Sequence, residues 1–305
     1  MSPGGATSFA EFRVMSPSGA LISSRLPKPG ARAPGYIMSP RWGSIAMALL
    51  TQFLLRLSFG MAAAMATVSS RQVTSGYFRN HLYVILGLSS LAALLSRAAA
   101  PAFGWALAAA ALSYAGAVAW LYEKRSFGVA MLVAVAVAAL AGALVVTQPP
   151  APLADANQAV GSAAEGLPAI LRYMQTIGSG MLLGTTMAAM LLGHWYLNAP
   201  GMQLAPLRKL LLAMAAATVV QAVICGVGLG FEVAAHPLST QDWLFLTLRW
   251  SFGLVGVIIL IWLTWQTLAI PNTQSATGIL YVAVMGVFVG ETMSLLLSAE
   301  SLFPV

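Results

Sequence analysis

Four ionisable side chains stand inside long apolar runs of this chain: Arg56, Arg172, Arg249 and Glu291. A charge at the middle of a bilayer costs at least about 2.5–3.5 kcal/mol on insertion scales, so such a residue needs a partner or a task. Their neighbours are polar at helical spacing. Gln52 lies one turn before Arg56 and Gly60 one turn after, which puts the three on one helix face. Arg172 opens a stripe continued by Gln175, Thr176 and Ser179, and Glu291 is followed by Ser294 and Ser298. One carboxylate cannot neutralise three guanidinium groups. The surplus positive charge suits an anionic headgroup, a polar quinone ring or an acidic substrate. A buried Glu beside Arg is also the kind of group that takes up or releases protons. The expected site therefore has Glu291 as its proton-handling residue, with Gln52, Arg56, Arg172, Gln175 and Arg249 as ligand-binding residues. A structural expectation competes with it. Glu291 would lock one Arg across two helices, and Arg172 and Arg249 would extend to the headgroups.

The three histidines offer a second chemistry. His81 opens an apolar run in YFRNHLYV, and His194 closes one in LLGHWYLNAPG. A b-type haem could use two imidazoles on facing helices, and His81 with His194 is the only pair at the same membrane edge. His236 falls in a loop at the other edge. No CxxCH, CxxC or HExxH motif is present, and the lone cysteine, Cys225, excludes an intramolecular disulfide. No metal centre is expected; the 15 methionines are scattered filler. No Ser/His/Asp or Cys/His arrangement and no paired carboxylates point to an autonomous hydrolase.

The elements that carry these residues are set by composition. Of 305 residues, 59% are hydrophobic and only 8% charged, against about 25% charged in an ordinary soluble domain. A water-soluble globular enzyme, a disordered chain and a fibrous one are excluded. The fold class is an all-α integral membrane protein. A span needs about 20 apolar residues, and eight runs qualify: 44–68, 80–97, 101–122, 127–147, 168–196, 206–230, 243–268 and 275–298. Residues 1–43, basic and rich in Pro, Gly and Ser, form a tail expected to be disordered. The Pro-rich connection 148–167 divides the membrane part into two four-helix halves, 44–147 and 168–298, followed by a short tail, 299–305. Faint similarity between WLYEKRSFGVAMLVAV (120–135) and WQTLAIPNTQSATGILYVAV (265–284) hints at a parallel repeat. Gly180-x-x-x-Gly184 and the Gly226, Gly228, Gly230 series mark close helix packing. Prolines fall at span ends, so no broken helix is expected.

Orientation follows from the short loops. If the first inter-helix loop is cytoplasmic, that side holds Arg71, Arg79, Lys124, Arg125, Arg208 and Lys209, and the inter-helix loops opposite hold only Arg97. Trp120, Tyr122, Trp195, Tyr196 and Trp265 then lie at cytoplasmic helix ends as interface anchors, with Trp42 and Trp243 at outer ends. The tail's five positive charges oppose this choice; a downstream start at Met38 would remove four of them. Low Lys, high Ala and Leu, and short loops suggest a bacterial inner membrane. Residues 1–41 hold five of the basic residues and one acid, leaving an excess of three elsewhere. The high pI is thus no case for a nucleic-acid partner.

Three function classes fit. The first is a quinone-interacting subunit of an electron-transfer system, with Arg56 and Gln52 binding a quinone carbonyl, Glu291 accepting its proton, and a soluble or membrane redox partner at the basic cytoplasmic face. The 4+4 layout is analogous to quinone-binding anchor subunits of the polysulfide or nitrite reductase type, by architecture alone. The second is a permease for a small or lipid-like anion. The third is a non-catalytic membrane scaffold or assembly factor.

Overall fold

The computed structural model describes residues 14–15, 21–22, 40–147, 166–199, 201–235, 237–270, 272–301 and 303–305. Most of the expected disordered tail, most of the outer loop and His236 lie outside them. Within the tail, Val14–Met15 and Leu21–Ile22 pair antiparallel. Residues Gly43–Val305 form one compact unit.

That unit is all α. Eight of its helices are long and apolar enough to cross a membrane: α1 (Pro40–Thr67), α2 (Ser75–Leu95), α3 (Ala100–Leu121), α4 (Arg125–Val146), α5 (Gly166–Asn198), α6 (Ala205–Ala235), α7 (Thr240–Ala269) and α8 (Thr273–Glu300). In lipid every backbone polar group must be satisfied within the chain, and a helix does this residue by residue. The ends are signalled locally. Ser239 and Asp242 form a capping box at the start of α7, with Asp242 N donating to Ser239 Oγ (3.2 Å) and Ser239 N to Asp242 Oδ2 (2.9 Å). Asn272 caps α8 by accepting from Ser275 N at 3.0 Å. The turn between α3 and α4 puts Glu123 at φ 55°. Large apolar side chains such as Val137, Trp262 and Ile270 remain exposed on the outside of the bundle, as lipid contact requires.

The core is tightest where α1 meets α5. A Cβ added at Gly60 would lie 1.7 Å from the Gly180 carbonyl oxygen, and one at Gly184 would lie 1.8 Å from the Gly60 carbonyl carbon. The two backbones therefore touch, and the Gly180-x-x-x-Gly184 spacing serves this contact. Leu57, Met61 and Met65 of α1 and Leu182 and Leu183 of α5 are buried in the same apolar core.

Several expectations are corrected. Trp120 is 1% exposed and stacks on Phe78 (centroids 4.2 Å apart, planes at 9°), so it is a core aromatic. Tyr196 is also buried, and its hydroxyl donates to the Gln203 carbonyl. Helix α7 is not regular: Arg249–Val255 is π-helical. No proline causes this. Gly253 lies against Gly290 of α8, where an added Cβ would come 2.7 Å from the Gly290 Cα, and the wider turn coincides with that close approach. Helix α6 runs past its expected end to Ala235, so Glu232 is helical and buried and not a loop acid. Gly228 receives the returning C-terminal segment, whose Pro304 carbonyl oxygen would lie 1.8 Å from a Cβ there.

Candidate functional site

Spans alternate in direction, so the first turns of α1 and α5 and the last turns of α4 and α8 share one end of the bundle. A cavity of about 230 Å³ opens there. Its polar wall is Gln52 and Arg56 of α1, Thr147 after α4, Arg172 and Gln175 of α5, and Ser298 of α8. Its apolar wall includes Ile45, Leu49, Val146 and Leu295.

The polar wall is knitted across helices. Gln52 Nε2 donates to Thr147 Oγ1 at 2.8 Å, and Arg56 Nη2 donates to Thr176 Oγ1 at 3.0 Å. The two threonine hydroxyl oxygens are 3.0 Å apart, which closes a chain from Gln52 to Arg56. Gln175 Nε2 donates to Ser294 Oγ (2.8 Å) and Ser298 Oγ (3.2 Å). Arg172 donates to the carbonyls of Ser298 (3.2 Å) and Ser301, holding the end of α8 and the segment beyond it. Arg56 is 1% exposed, yet its Nε and Nη1 have no hydrogen-bond partner among the described residues. No described carboxylate is within ion-pair distance of it.

A second buried group is built on α6, α7 and α8. Arg249 Nη1 donates to Glu291 Oε1 at 2.8 Å, and both side chains are 0% exposed. Arg249 Nη2 donates to Cys225 Sγ at 3.2 Å, and Gln221 Nε2 to the same sulfur at 3.6 Å. Arg249 Nε, Glu291 Oε2 and Gln221 Oε1 have no partner among the described residues. Arg249 does not extend to the headgroups. It is locked to Glu291, as the structural expectation held for one arginine. Glu291 does not line the cavity that holds Gln52, Arg56, Arg172 and Gln175.

The two histidines sit in different surroundings. The His81 ring is buried, its Nδ1 lies 2.5 Å from the Tyr77 carbonyl, and it packs against Tyr77 (4.4 Å) and Trp195 (6.2 Å). His194 is exposed, 3.5 Å from the Tyr281 hydroxyl. Among the described residues no cluster of three or more His, Cys, Asp or Glu could hold a metal ion.

Sequence reasoning placed Gln52, Arg56, Arg172 and Gln175 together but missed Thr147, Gln221, Cys225 and Glu232. Thr147 ends an Ala/Val run and gives no polar stripe to notice, and Glu232 was read beyond its helix. Comparison of the chain with known protein families, curated proteins and solved structures returned no match.

Proposed function

We propose that the protein binds a small or lipid-like anion in the cavity among α1, α4, α5 and α8 and serves as a permease for it. One observation carries this reading: among the described residues the ionisable side chains on the cavity wall are Arg56 and Arg172, and Arg56 is buried with two of its nitrogens lacking a described partner. A buried guanidinium with unmet hydrogen bonds and no described carboxylate in contact is costly, and an anion entering the cavity lowers that cost. Guanidinium groups suit carboxylate and phosphate oxygens by geometry as well as charge. With the first inter-helix loop cytoplasmic in a bacterial inner membrane, the cavity belongs to the outer leaflet. The test is thermal unfolding of the purified full chain with octyl phosphate against the neutral octyl glucoside. Stabilisation by the phosphate alone, lost in Arg56→Gln, is expected; equal effects of both compounds refute the reading.

The quinone reading has two observations in its favour. Arg56 and Gln52 supply donors suited to a ring carbonyl, and the Glu291 Oε2 lacks a partner among the described residues. It stands second because Glu291 is off the cavity wall and tied to Arg249. In this version the basic residues Arg71, Arg79, Lys124 and Arg125 at the opposite end would meet the redox partner. Organic extraction of the purified protein with mass detection tests it: a stoichiometric quinone would put this reading first.

A further inference from the structure

A second cavity, of about 260 Å³ and wholly apolar, lies along α1 and α4. It is lined by Phe59, Ala63 and Ala66 of α1 and by Val133, Val137 and Leu140 of α4. Its position relative to the arginine cavity is set by helix geometry. On α1, Gln52, Arg56, Phe59, Ala63 and Ala66 follow one another at steps of three and four residues, within an arc of about 100°. On α4, Thr147, Leu140, Val137 and Val133 likewise share one face. The two cavities therefore follow one another along the same faces of α1 and α4, the first polar and cationic and the second apolar, with no residue lining both. From Arg56 to Ala66 is about 15 Å along α1. Val133 and Val137 are 50% and 60% exposed, so the apolar stretch opens sideways to the surroundings of the bundle.

We infer that the ligand is an anionic lipid taken from the bilayer itself, its headgroup held by Arg56 and one acyl chain lying in the α1/α4 groove. This rests on the anion reading above and names the chemical class it admits. The juxtaposition supplies both parts of an amphiphile: a buried guanidinium with two nitrogens lacking a described partner, beside hydrogen-bonding side chains, then an apolar groove further along the same helix faces. A water-soluble anion uses only the first part. A lipid without net negative charge brings no net countercharge to Arg56. The lateral opening lets the chain enter from the membrane without passing through water.

The experiment uses the full chain in nanodiscs of a zwitterionic lipid. Two photoreactive lipids carry a diazirine midway along one chain; one has a phosphate headgroup and the other a phosphocholine headgroup. After photolysis, labelled peptides are mapped by mass spectrometry. The phosphate-headed lipid should label 59–66 and 133–140 about tenfold more than the phosphocholine lipid, a ratio of the size that one hydrogen bond to a charged group gives. Arg56→Gln should abolish the difference, and Arg56→Lys, which keeps the charge, should preserve it; loss of the difference in a folded Arg56→Lys protein overturns the assignment of the headgroup to this charge. Filling the groove with Ala63→Leu and Val137→Phe should remove the label while octyl phosphate still stabilises the protein. Equal labelling by both lipids overturns the inference, because it marks ordinary boundary lipid. Preferential labelling elsewhere, with octyl phosphate stabilisation intact, overturns the chain placement and leaves the anion reading standing. Absence of octyl phosphate stabilisation in the unaltered protein overturns both.

Discussion

Replacing Arg249 and Glu291 by leucine, singly and together, asks whether their ion pair is a lock or part of the site. The two groups meet at 2.8 Å with neither side chain exposed. Glu291→Leu leaves a guanidinium with no counter-ion among buried neighbours, and Arg249→Leu leaves a carboxylate in the same position. Breaking a buried pair from one side costs about 3–5 kcal/mol, whereas replacing both partners by apolar residues is neutral or stabilising by about 1–4 kcal/mol. The Arg249 contact to Cys225 Sγ does not change the sign, because a neutral thiol cannot balance a charge. Both single variants should therefore unfold far more readily than the double variant. The assay is reversible unfolding in mixed micelles, followed by helical signal for the four proteins. Single effects below about 1 kcal/mol that simply add would refute the reasoning, since in-membrane contacts without a buried charge average only about 0.6 kcal/mol. The double variant also decides the role of Glu291. If it is folded and octyl phosphate still stabilises it, the pair is structural and the cavity works without a carboxylate.

Other perturbations test the packing and the cavity wall. Gly60→Ala should separate α1 from α5 and cost at least about 1–3 kcal/mol as overpacking, measured by micelle unfolding, because an atom 1.7 Å from a backbone oxygen can be relieved only by moving the helices apart. Gly87→Ala, which meets nothing within 4 Å, should be neutral or stabilising by up to about 1 kcal/mol in the same assay. Thr147→Val removes the acceptor for Gln52 and should cost about 1 kcal/mol and weaken octyl phosphate stabilisation. Gly228→Ala should displace Pro304 and speed amide exchange at Phe303, whose N–H donates to Glu232 Oε2 at 2.9 Å.

Span positions were legible because crossing a membrane demands length and apolarity and little else. The run expected at 127–147 is the helix Arg125–Val146, and that at 168–196 is Gly166–Asn198. Polar stripes were legible for the same reason: Gln175 and Ser294 stand out against leucine and alanine, and they do meet, at 2.8 Å. What was not legible is pairing between distant helices. Nothing local says that Glu291 takes Arg249 rather than Arg56, since that depends on how α7 and α8 approach through Gly253 and Gly290. The π-helical stretch was invisible because its one local signal, Gly253, gains meaning only with Gly290 of α8 against it. Trp120 was misread because an aromatic near a helix end looks alike whether it faces headgroups or stacks on Phe78.

The backbone contact between Gly60 and the Gly180–Gly184 pair has a mechanical consequence. Two helices touching main chain to main chain cannot slide past each other without a side chain or carbonyl colliding, so α1 and α5 move as one beam. Arg56 is carried on that beam together with its partner Thr176. Any change of access to the cavity would then come from α4, which meets α1 beside this contact across the groove lined by Ala63 and Ala136. The beam would stay still while α4 swings like a door along it. On the permease reading, a rigid cross-link between α1 and α5 should be silent, and one between α1 and α4 should stop turnover.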